Sequence, residues 1–164
     1  MIANLKNIVP QTQLTTIYAN ELRLTYRKAI ELQEPEFHCL NSSKKIAGFL
    51  RSIWDKEDLT IRESFYLLCF SSRMDLVGFQ KISDGGLDAV MVDSRLIFST
   101  ALLCRSSSIV IAHNHPSGTL YPSEADRILT SKIREAGQLL DIKLSDHIIL
   151  TDNGYYSFTD EGAL

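Results

Sequence analysis

SSIVIAHNHPSGTLYPSEAD, Ser107 to Asp126, is the stretch whose reading decides the fold. Its first third is a near-continuous β-branched run, the composition of a central strand covered on both faces. On such a strand His113 and His115 lie two residues apart, so both imidazoles leave the same face at the C-terminal end and can meet one ion. Pro116 cannot continue a sheet ladder and Gly118 permits a tight turn, so the chain leaves the strand just after the second histidine. A helix then begins near Ser123, with Ala125, Ile128, Leu129, Ile133, Ala136 and Leu140 along one face. Asp126 falls in its first turn, facing back toward the strand end.

Outward from that unit, SFYLLCFS after Glu63 and DLVGFQKIS after the polar SRMD turn read as two strands of a hairpin. DSRLIFSTALLCR is spaced as a helix, and DHIIL and GYYSF as two closing strands. Upstream, NSSKKIAGFLRSIW offers Ser42 or Ser43 as N-cap to Ile46, Phe49, Leu50 and Ile53, and that helix ends in the acidic DKED turn. NELRLTYR from Asn20 alternates as a half-buried strand, behind the weakly patterned arm MIANLKNIVPQTQ. The order β-α-β-β-α-β-α-β-β predicts an α+β (mixed α/β) fold, a central mixed sheet flanked by helices. Residues 1–40 are expected to form an arm with one strand, and residues 41–164 one domain.

The bulk numbers narrow the function classes. A chain of 164 residues with 45% hydrophobic and 23% charged content is ordinary for a globular domain. The net charge of -3 gives no global basic field, so direct DNA binding is not expected. Cys39, Cys69 and Cys104 are an odd number with no CxxC pair, which predicts neither a disulfide framework nor a thiolate zinc knuckle. No run is long enough to span a membrane and no basic-then-apolar leader opens the chain, so a soluble, cytoplasmic setting is expected.

Two imidazoles and a carboxylate, His113, His115 and Asp126, suit a divalent ion such as Zn²⁺ and leave a position for water, although iron, cobalt or manganese fit the same donors. Hydrolysis also needs a base that does not bind the metal. Glu63, at the mouth of the SFYLLCF strand, is the candidate, and the Ser123 hydroxyl is placed to donate to a developing oxyanion. Each residue also has a plainer role: Ser123 as N-cap, Asp126 favoured by the helix dipole, Glu63 as a solvated acid at a strand edge. Only the two histidines upstream shift the balance. His147 reads as a satisfied strand histidine with Asp146 as capping partner, His38 as a loop residue, and Asp84, Asp88 and Asp93 as acids at turns and helix starts.

HNHPSG followed by PSEAD resembles the RadC family, within the JAB1/MPN/JAMM metalloprotease superfamily. The superfamily pattern is an upstream glutamate, HxH, seven residues, serine, two residues and aspartate, met here by Glu63, His113, His115, Ser123 and Asp126. ESFYLLCF, DSRLIFSTAL and AGQLLDIKLSDHIIL extend the similarity from about Leu40 to the C-terminus. The resemblance implies one Zn²⁺ held by His113, His115 and Asp126, Glu63 as general base, Ser123 assisting the oxyanion, and hydrolysis of an amide bond in a peptide or protein substrate by a metal-activated water. Two features depart from it: residues 1–40 hold nothing like the DNA-associated helix-hairpin-helix region of full-length relatives, and TLYP replaces a more polar DPTP before Ser123. Competing readings are a non-catalytic MPN-type interaction module and a DNA-repair accessory protein. Contiguous HNH does not imply an HNH nuclease, whose three residues are dispersed through a ββα-metal finger.

Overall fold

The computed structural model describes residues 40–85 and 92–164. The strand expected from Asn20, His38, Cys39 and Asp88 lie outside the described residues. The elements are α1 (Ser43–Ile53), α2 (Asp58–Ile61), β1 (Ser64–Phe70), β2 (Leu76–Asp84), α3 (Ser94–Leu103), β3 (Ser108–Asn114), α4 (Glu124–Leu139), β4 (Lys143–Leu150) and β5 (Tyr155–Ser157). The single-turn α2 begins at Asp58, the last residue of the DKED stretch, where the sequence reading had only the end of α1.

One five-stranded sheet runs in the order β2-β1-β3-β4-β5. β1 is antiparallel to both β2 and β3, β3 is parallel to β4, and β5 closes the edge antiparallel to β4. The sheet is therefore mixed. Every residue of β1 and β3 is buried, and for β3 this follows from the β-branched run Ile109-Val110-Ile111, which has an apolar environment on both faces. Burying each of those side chains contributes about 1.5–3 kcal/mol relative to exposure.

Strand alternation sorts the core into two layers. Tyr66, Leu68, Phe70, Val110, Ala112, Ile148 and Leu150 face α1, whose Ile46, Phe49 and Leu50 point inward. Phe65, Leu67, Cys69, Ile109 and Ile111 face α3 and α4, meeting Ile97, Phe98, Ala101 and Ile133. The same alternation governs the end of β3. His113 turns toward the α4 side, as Phe65 and Ile111 do, while Asn114 turns toward α1 and α2. Past β3, Gly118 takes a left-handed φ of 79°, the conformation its place in the turn required. Among the described residues, no helix is long and apolar enough to cross a membrane.

Candidate metal centre

β3 delivers His113 to the C-terminal end of the sheet between two neighbours, Phe65 on β1 and Ile149 on β4. His115 sits one residue beyond the strand, and its backbone N–H still donates to the Leu150 carbonyl at 2.8 Å. Asp126 comes from the first turn of α4. The ligand atoms of His113, His115 and Asp126 all lie within 4.8 Å of one another, the one such group among the described residues. The two Nε2 atoms are 3.0 Å apart. Asp126 Oδ1 is 3.1 Å from His113 Nε2, and its Oδ2 is 3.5 Å from His115 Nε2.

Those separations fit a small cation. Donors at 2.0–2.1 Å in a tetrahedral arrangement stand about 3.3 Å from each other. His115 Nδ1 donates to the Thr119 carbonyl at 2.7 Å, which leaves its Nε2 bare when the ring is neutral. A cluster of imidazole lone pair and carboxylate attracts positive charge. The hydrogen bond with Asp126 raises the His115 pKa, against burial, with the Thr119 bond adding to the rise. Burial opposes ionisation of Asp126, but the facing His113 and His115 imidazoles and the Ser123 hydroxyl outweigh it and hold that carboxyl well below the usual range.

The helix start that positions Asp126 is a capping box. The Asp126 N–H donates to Ser123 Oγ at 3.2 Å, and the Ser123 N–H donates back to Asp126 Oδ2 at 2.7 Å. The Ser123 hydroxyl also donates to Asp126 Oδ2, at 2.6 Å. One carboxylate thus caps α4 and faces the histidines. A cavity of about 640 Å³ opens over the cluster, and its wall includes Glu63, Val92, Tyr121, Pro122 and Leu129.

Glu63 precedes β1, and its place is fixed from both sides by the middle residue of HNH. Asn114, fully buried, accepts from the Ser64 N–H at 2.7 Å. Its amide donates to the Arg62 and Leu59 carbonyls, each at 2.9 Å. The Glu63 carbonyl accepts from the Gly85 N–H at 2.7 Å. Alternate residues of one strand end therefore serve two jobs, histidines facing Asp126 and an asparagine anchoring the glutamate segment.

Behind the cluster, His113 Nδ1 is 2.9 Å from His147 Nε2, and His147 Nδ1 is 2.7 Å from Thr130 Oγ1. His147 is a satisfied strand histidine, as read, but the sequence did not show that its partner is a site residue. Burial drives its pKa well below the ordinary value. Asp146 accepts from the His147 N–H at 2.8 Å and from the Ser157 hydroxyl at 2.6 Å, tying β4 to β5. The sequence reading also missed Asn114 and Thr130. A usable signal existed for His147, a histidine on the strand that a β-α-β crossover places beside β3. Asp84 and Asp93 stay outside the site. Asp84 pairs with Lys81, and Asp93 caps α3 through the Arg95 N–H at 2.9 Å, with the Arg95 guanidinium lowering its pKa to about 2.

Fold and site together define a class: an α+β domain with a mixed sheet and a His-His-Asp group, able to bind a metal, at the end of a central strand. The profile of the RadC-like JAB domain matches residues 40–163, and the chain belongs to that family. A UPF0758 protein of Flavobacterium johnsoniae is 42% identical over 100 residues, covering 61% of this chain and 44% of the relative. UPF0758 proteins of Thermotoga maritima and Pseudomonas fluorescens are 33% and 36% identical over 125 residues, covering 76% of this chain and 54% of each relative. The chain spans about half the length of these curated relatives.

Proposed function

We propose that this chain is a zinc-dependent hydrolase of amide bonds, a peptidase or isopeptidase acting on peptide or protein substrates. The observation that carries the reading is the convergence of His113, His115 and Asp126 under an open cavity that Glu63 also lines. His113, His115 and Asp126 would hold Zn²⁺, which when bound polarises a carbonyl and makes water acidic. Asp126 stays ionised because its hydrogen bonds hold its pKa down. Glu63 takes up the proton of the attacking water and delivers it to the leaving nitrogen, the work of a base that is not itself a ligand. Ser123 first orients Asp126, and donation to a substrate oxyanion requires its bond to Oδ2 to be exchanged. Val92, Tyr121, Pro122 and Leu129 give the cavity an apolar wall suited to a peptide side chain. The net charge of -3 favours a protein over a nucleic-acid substrate, and cysteines without a disulfide framework favour a cytoplasmic setting.

The test is cleavage of a peptide library by the zinc-loaded chain beside Glu63→Gln. The proposal expects cleavage by the wild type, and a variant that keeps zinc but loses turnover. Undiminished cleavage by Glu63→Gln would remove Glu63 as base. A zinc-loaded wild type without turnover on peptides or isopeptides would favour the interaction-module reading.

A further inference from the structure

The buried groups behind His113 fix where its proton sits. Thr130, one turn after Asp126 on α4, donates its hydroxyl to the Asp126 carbonyl at 2.6 Å. A hydroxyl has one proton, so toward His147 Nδ1, 2.7 Å away, Thr130 Oγ1 can only accept. His147 therefore carries its proton on Nδ1 and presents a bare Nε2. Two lone pairs do not face each other at the 2.9 Å that separates this atom from His113 Nδ1, so His113 is the donor. A neutral His113 then has its own Nε2 bare, aimed at His115 Nε2 and Asp126 Oδ1, lone pairs close enough that a proton carried by His115 or a cation must bridge them.

We propose that His147, locked by Thr130, is a positioning residue that sets the tautomer and ring orientation of His113 and so presents His113 Nε2 to a divalent cation. The inference rests on the metal reading given above and extends it to two residues that touch no substrate. Histidine ligands ordinarily donate the other ring N–H to a carboxylate, a carbonyl or water. Here a second imidazole takes that place, and the chain of bonds ends on the main chain of Asp126. His113, His147, Thr130 and the Asp126 main chain thus form a line of hydrogen bonds that ties β3, β4 and α4 together behind the cluster. His147 is fully buried, and Phe158 stacks on it at 4.7 Å with an interplanar angle of 11°. The Asp146 carboxylate does not compete for the ring. It accepts instead from the His147 backbone N–H, the Ser157 hydroxyl and the Thr159 backbone N–H.

The experiment compares the full chain with Thr130→Val, Thr130→Ser and His147→Phe, each first checked for cooperative thermal unfolding. Two readouts are taken: ring ¹⁵N shifts of the metal-free proteins, which report tautomers, and zinc affinity by competition with a chromophoric chelator. Both His113 and His147 should be Nδ1–H in wild type and Thr130→Ser, and lose that single tautomer in Thr130→Val. Zinc should bind about 10- to 100-fold more weakly to Thr130→Val and His147→Phe, while Thr130→Ser stays within about twofold of wild type. A merely structural Thr130 would leave the tautomers unchanged in Thr130→Val. His113 protonated on Nε2 in metal-free wild type, or Thr130→Val matching wild type in shifts and affinity, overturns the inference. If His147→Phe does not fold, the two Thr130 variants decide it. A wild-type chain that binds no zinc overturns the metal reading instead, and the tautomer spectrum then decides this inference by itself.

Discussion

Replacing Asn114 by alanine should separate the anchoring of Glu63 from the holding of metal. Asn114 makes three hydrogen bonds, and each lost partner has a different fate. The Ser64 N–H belongs to a fully buried residue, so without Asn114 Oδ1 it has no replacement acceptor. An orphaned buried donor costs about 1–3 kcal/mol. The Leu59 and Arg62 carbonyls lose the side-chain amide, but Arg62 is exposed, so water replaces part of that loss. The sum is a destabilisation of about 2–4 kcal/mol, equivalent to a fall in Tm of roughly 10 °C for a domain of this size. Asn114→Asp should do no better at neutral pH, because it keeps the acceptor for Ser64 but turns a carboxylate oxygen against two carbonyls. The assay is urea unfolding with zinc affinity measured in parallel. Asn114 faces α1 and α2 while the histidines face α4, so zinc affinity should hold within about threefold, less than the loss typical of a group that orients a ligand. A change in stability under about 0.5 kcal/mol, the range of ordinary surface substitutions, would refute the assigned anchoring role, and loss of zinc with the fold intact would refute the division between the two faces.

Three further outcomes follow from the same geometry. The His115 pKa is raised, so in the metal-free chain its contribution to stability is present below the ordinary histidine value of about 6.5 and is lost as pH rises through the higher folded value. Asp126 is depressed, so its contribution is present above the ordinary carboxyl value and lost only as pH falls toward its much lower folded value. Metal-free protein should therefore be less stable at pH ~8.5 than at pH ~6, and thermal unfolding that shows no such loss would contradict the pairing. Zinc must displace the His115 proton, so its affinity should rise by up to about tenfold per pH unit below that raised pKa; a chelator competition that is flat with pH would exclude His115 as a ligand. Gly137→Ala places a Cβ 2.3 Å from the Ile142 carbonyl oxygen, and overpacking of about 1–3 kcal/mol should outweigh the roughly 1 kcal/mol gained in helix propensity; a stabilised variant in urea unfolding would refute that contact.

The end of β3 was legible because its signals are local. The β-branched run 109–111, two histidines in alternation, Pro116 and Gly118 at the exit, and the Ser123 and Asp126 cap each constrain their own few residues. The one-turn α2 was not, because a four-residue helix has no periodicity to read. Asn114 and His147 act through partners 50 and 34 residues away, so their roles depend on strand order rather than on neighbouring sequence. His147 was classed correctly as satisfied, but a residue type cannot say which group satisfies it until β4 is known to lie beside β3. Thr130 illustrates the same limit. A threonine inside a helix carries no signal of its own, and only the helix phase turns its hydroxyl toward β4.

The central claim is that His113, His115 and Asp126 form a metal site, and the most direct measurement is elemental analysis of the purified chain beside Asp126→Ala, without chelator and with zinc available during expression. The account predicts about one zinc per wild-type chain and little in the variant, since removing a charged ligand leaves two neutral donors. Wild-type protein purified without metal, or a variant that keeps the full complement, would contradict it.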